Sequence, residues 1–123
     1  DKVNNIMDEM QYKLEIKAFD NAKQYHKIRM YAGGYQAALI AFENFAKDFP
    51  DSKLREEALF LSIETQYNYA KQSLYAKQKE RFSSTIELYE KLVDRYPNSD
   101  YIKRAENMYS NSIDELRKLT AKK

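Results

Sequence analysis

The sequence has no cysteine and no tryptophan, and 123 residues hold only two glycines, two prolines and one histidine. Without cysteine this stretch can form no disulfide and offers no thiol nucleophile. His26 has no second histidine or cysteine beside it, so it reads as packing or surface rather than as a base or metal ligand. No HExxH, no paired metal-ligand spacing and no calcium-loop pattern occurs, and nothing calls for a cofactor. Gly33-Gly34 has no strand before it to build a phosphate cradle and reads as a helix stop. Glu56-Glu57 and Asp114-Glu115 are adjacent pairs that point about 100° apart on a helix, too far to share a proton. Lys and Arg number 21 against 19 Asp and Glu, which gives no electrostatic case for nucleic acid or an acidic substrate. No run approaches the roughly 20 apolar residues that cross a bilayer, and no signal-peptide pattern is present. So little glycine and proline leaves scant material for strand turns, and the fold class expected is all-α.

What the chain does have is a repeat. Tyr35–Ala58, shifted by 47 residues, lies over Phe82–Ala105. Tyr35, Leu39, Phe42, Phe45, Ala46 and Phe49 fall on Phe82, Ile86, Tyr89, Leu92, Val93 and Tyr96, and this spacing puts each set on one helical face. Each helix stops at an aromatic-proline pair, because proline disfavours helical geometry in the residue before it. Asp51-Ser52 and Asn98-Ser99 follow, with side-chain oxygens suited to cap a new helix. An earlier echo, Phe19–Tyr25 over Tyr67–Ser73 at a shift of 48, extends the repeat to both helices of a unit.

Five helices are expected near 3–31, 35–49, 53–76, 80–96 and 100–119. The first carries two apolar faces, one through Val3, Met7, Met10 and Leu14 and one through Tyr12, Ile16 and Phe19, as a helix packed on two sides would. The charged run Lys77–Arg81 is read as the connection between the third and fourth helices. Repetition at this period is the signature of an α-solenoid. The reading is one domain over 1–123, with units at about 3–52 and 53–99 and a capping helix at 100–119.

The order Ala38, Phe42, Phe45, Pro50 resembles the second-helix half of a tetratricopeptide repeat, and Gly33-x-Tyr35-x-x-Ala38 resembles the turn into that helix. A plain unit of that kind has a period of about 34. The longer period here, with FPDSKLREEALF, YNYAKQS and KQKERFSSTIELYEKLVDRYPNSDY, resembles the C-terminal part of the BamD/YfiO family of outer-membrane assembly lipoproteins. The resemblance covers nearly the whole chain. It implies a non-enzymatic scaffold at the periplasmic face of the outer membrane. It further implies C-terminal repeats docked on a POTRA domain of the barrel-forming subunit, and a membrane tie only through an N-terminal lipid anchor. This chain shows no lipidated cysteine and about two and a half repeats, so it is expected to be a C-terminal fragment with docking retained.

The docking surface is expected in the C-terminal half, because a solenoid leaves only its last helix without a following neighbour. Arg81 offers a planar fork for carboxylates. Lys103, Arg104 and Arg117 could add exposed charge, and Tyr109 an amphipathic anchor. Against this stands a local role for Arg81, tying down its connection through a nearby glutamate. Two rival functions are a Tol-associated periplasmic repeat adaptor, which the long period disfavours, and a small enzyme, for which convergent polar groups are missing.

Overall fold

The computed structural model describes residues 2–27 and 34–121. Five helices occupy them: α1 Lys2–Lys27, α2 Gly34–Asp48, α3 Arg55–Lys71, α4 Tyr75–Arg95 and α5 Ile102–Ala121. There is no strand among the described residues, and the protein is all-α, with helix-turn-helix units of tetratricopeptide-like kind. The expected end of the first helix at Tyr31 and the stop at Gly33 lie outside the described residues. The chain divides into two compact units, Asp1–Ala58 and Leu59–Lys123.

In the first unit α1 and α2 pack together through Phe19, Ala22, Ala38, Phe42 and Phe45, all buried. The Phe19 ring lies 6.3 Å from Phe42 and 5.4 Å from Phe45, and the His26 ring meets the edge of Phe42 at 6.0 Å. His26 is therefore a packing residue. Neither expected face is covered along the N-terminal part of α1: Val3, Ile6, Met7, Met10, Tyr12, Leu14 and Ile16 are all exposed. The reason is length. At 1.5 Å per residue, 26 residues of α1 outrun the 15 of α2 by more than three turns. Aromatic contacts place Phe19 beside Phe45, near the end of α2, so the overhang falls on the N-terminal half of α1.

The second unit is built on Phe60, Ile63, Leu92 and Ala105, with Leu88, Tyr101 and Met108 packed around them. Phe60 of α3 is buried and stacked on Tyr101 at 4.7 Å. Between α3 and α4 the seam is partly polar. Thr65 and Thr85 are fully buried, each donating its hydroxyl to the carbonyl four residues back, Leu61 and Arg81. The Gln66 amide donates to the same Arg81 carbonyl at 3.1 Å. With their hydrogen bonds made, these groups sit in the interior without the penalty of an orphaned donor.

The two proline turns are the same structure twice. The Phe49 N–H donates to Phe45 O at 2.9 Å and the Tyr96 N–H to Leu92 O at 2.8 Å, closing each helix. The Ser52 N–H then donates to Phe49 O, and Ser99 N–H to Tyr96 O. Each serine hydroxyl accepts an N–H two residues on, Leu54 and Tyr101, both at 3.1 Å. Ala58 and Ala105 complete the entry by donating to Leu54 O and Tyr101 O.

The passage from α3 to α4 differs from expectation. The break falls at Gln72–Leu74, and Lys77–Arg81 lies inside α4 rather than forming a connection. Side chains perform the stop that glycine would otherwise make. The Ser73 hydroxyl donates to Tyr69 O at 2.5 Å, and the Gln78 amide reaches back to Ala70 O at 3.4 Å. Carbonyls at the end of α3 are thus satisfied from the start of α4, and the charged run simply solvates the first turns of a helix.

Candidate docking surface

Helix α5 carries four of the five residues singled out from the sequence. Helical phase separates them. Lys103 and Arg117 lie about 40° apart around the axis but about 21 Å apart along it. Both are exposed, and the Arg117 guanidinium lies 3.9 Å from the Asp114 carboxylate on the same helix. Arg104 and Tyr109 project about 140° apart, toward opposite flanks.

Those flanks are engaged within the unit. The Arg104 guanidinium lies over the Phe60 ring, 4.6 Å from its centroid. Its charge is exposed, but its plane is used as a lid on the stacked Phe60–Tyr101 pair. On the other side Tyr109 stacks on Tyr89 at 4.3 Å with the planes 25° apart. Burial pushes the Tyr89 phenol above its usual pKa, helped by the neighbouring Glu106 carboxylate and by Tyr109. Two residues on from Tyr109 and on the opposite flank, Asn111 donates its amide to the Tyr67 hydroxyl at 3.1 Å.

Arg81 is on α4 and faces inward along the hairpin. Its Nη1 donates to Ser73 Oγ at 2.6 Å, and its guanidinium carbon lies 4.0 Å from the Tyr69 ring centroid. The local role expected for it exists, with a serine and an aromatic face in place of a glutamate. Lys103 and Arg117 share an outer side of α5; Arg81, Arg104 and Tyr109 are each committed to a different neighbour.

The sequence reading missed one feature of the same helix. Ile113, Leu116, Arg117, Thr120 and Ala121 line an open hollow of about 430 Å³ at its C-terminal end. The signal was there in the spacing: residues 113, 116, 117 and 120 follow one helical face. The hollow is apolar except for Arg117 and the Thr120 hydroxyl, which donates to Leu116 O. It suits a contact with another side chain or helix.

Among the described residues no cluster of histidine, cysteine or carboxylate side chains could hold a metal ion. No helix there is long and apolar enough to cross a membrane. No curated protein matches the chain. The family of the YfiO outer membrane lipoprotein matches residues 14–123. That span takes in both proline turns, the long third and fourth helices and α5, and on it the chain belongs to the YfiO outer membrane lipoprotein family.

Proposed function

We propose that this chain is a non-catalytic scaffold of outer-membrane protein assembly, and that it binds a periplasmic POTRA-type domain through α5. It is read as one helical-repeat domain of such a lipoprotein. The observation that carries this reading is the division of α5. Its inner side and both flanks are spent on Phe60, Tyr67 and Tyr89, while Lys103, Arg117 and the Ile113–Ala121 hollow stay open. An apolar hollow edged by Arg117, with Lys103 about 21 Å along the same side of the helix, fits a partner that presents an apolar side chain with carboxylates on either side of it. Arg104 and Tyr109 stiffen the two edges of that face, and Arg81 fastens the hairpin that supports it.

A titration against the purified periplasmic domains of the barrel-forming subunit tests the reading. Lys103→Glu and Arg117→Glu, both on exposed positions, are expected to weaken binding together by at least tenfold, the loss of about 1.4 kcal/mol. Leu116→Asp adds a charge to the hollow and is expected to abolish it. If folded variants bind as tightly as the parent, the docking surface is not on α5.

A further inference from the structure

The turn between α3 and α4 combines rigidity with apolar exposure. Leu74 is 82% exposed and Tyr75 58% exposed, and they are consecutive at the tip of the hairpin. A slack turn would let such side chains fold back onto the helices. This one is fastened by Ser73 Oγ to Tyr69 O, Arg81 Nη1 to Ser73 Oγ, Gln78 Nε2 to Ala70 O and the Lys77 N–H to Leu74 O. The fastening holds Leu74 and Tyr75 outward.

The charge around the tip is predominantly positive. From Thr65 to Ile86 the only carboxylate is Glu80, against Lys71, Lys77, Lys79 and Arg81. Lys77, Lys79 and Lys71 are exposed, and among the described residues none of them makes an ion pair. Lys79 lies four residues after Tyr75, on the same side of α4, and Lys77 falls on the opposite flank. Lys71, in the last turn of α3, rests its ammonium over the Tyr67 ring at 5.1 Å.

We propose that this turn is a membrane-contact tip: Leu74 and Tyr75 enter the headgroup boundary of an anionic bilayer, and Lys71, Lys77 and Lys79 meet its phosphates. The inference goes beyond the docking reading and does not depend on it. The family is an outer membrane lipoprotein family, so a bilayer surface lies within reach of its members. The chemistry of the tip favours lipid over a folded acidic protein. Interfaces between proteins enrich arginine and deplete lysine, whereas here the one arginine is turned inward and the exposed cations of the rim are all lysines. Lysine is a point charge on a flexible stem, suited to a fluid array of phosphates with no fixed geometry. Tyrosine is the side chain that settles at a membrane–water boundary.

Tyr75→Trp gives the test, since the chain has no other tryptophan. Mixed with vesicles of phosphatidylcholine and phosphatidylglycerol, this variant is expected to show a blue-shifted emission that brominated lipid quenches. Vesicles of phosphatidylcholine alone are expected to leave the emission unchanged. Added in the same background, Lys77→Glu and Lys79→Glu are each expected to weaken partitioning at least about fivefold, and Leu74→Ser to remove the blue shift. Raised salt is expected to weaken partitioning further. The proposal is overturned if the chain ignores anionic vesicles, or if it adsorbs while the tryptophan stays in water. Capture of the tip by an acidic protein domain with no vesicle binding would also overturn it.

Discussion

Arg81 donates to the Ser73 hydroxyl at 2.6 Å across the hairpin turn, and that hydroxyl in turn donates to Tyr69 O. The chain Arg81–Ser73–Tyr69 closes α3 without glycine or proline, and the guanidinium face on the Tyr69 ring adds to it. Arg81→Ala removes a charged hydrogen bond and a cation–π contact at a half-buried site. A loss of about 1–3 kcal/mol in urea denaturation is expected. Arg81→Lys keeps the charge but not the planar fork and is expected to recover less than half of it. An unchanged midpoint for both variants would show that Gln78 and Ser73 hold the turn alone.

Phe42 is the centre of the first unit, 1% exposed and in contact with the Phe19 and His26 rings. Phe42→Ala is expected to cost on the order of 3–5 kcal/mol, transfer plus cavity. The overhang of α1 makes a contrast available. Met7, 63% exposed, is expected to tolerate Met7→Ala with a change within about 0.5 kcal/mol. Thermal melts of the two variants check both outcomes together, and equal losses would mean that α1 is gripped along its whole length.

The matched serines of the two proline turns give a paired expectation. Ser52→Ala and Ser99→Ala each delete a hydroxyl that accepts a backbone N–H at 3.1 Å. Each is expected to cost about 1 kcal/mol, the usual worth of an N-cap side chain. Ser52 is the more deeply buried of the two, 7% exposed, so its N–H partner finds water less readily and its loss should be the larger. Denaturant titration of the single variants decides the order.

These turns were legible in the sequence because proline and serine act locally: Pro50 and Pro97 end a helix by their own ring, and Ser52 and Ser99 cap two residues on. The stripe Phe42, Phe45, Leu92 was legible too, since helical periodicity alone puts those residues on one side. The α3–α4 turn was not. Its stop is made by side chains eight residues away, Gln78 to Ala70 and Arg81 to Ser73, and distance of that kind leaves no local signature. The charged run Lys77–Arg81 looked like a loop, but lysine, glutamine, glutamate and arginine are also good helix formers. The docking residues were the least legible. Arg104 and Tyr109 were chosen for exposure, while Phe60 and Tyr89, the rings they cover, come from helices far away in sequence.

The Tyr89–Tyr109 stack gives the last expectation, a dependence on alkaline pH. Tyr89 stands above its ordinary value of 10.0 because burial disfavours the phenolate, and because Glu106 and an ionised Tyr109 would repel it. The folded chain therefore holds the Tyr89 proton more tightly than the unfolded chain does. As pH rises past the ordinary tyrosine range, the unfolded chain loses that proton first and is favoured. The stabilisation is present in full below the unfolded value and disappears as pH climbs through the folded one. Tyr89→Phe, which keeps the ring and removes the phenol, is expected to flatten this decline. Glu106→Gln is expected to reduce it partly, by removing one repelling charge. Denaturation midpoints of the three proteins across the alkaline range make the comparison. A decline as steep in Tyr89→Phe as in the parent would assign it to other tyrosines of the chain.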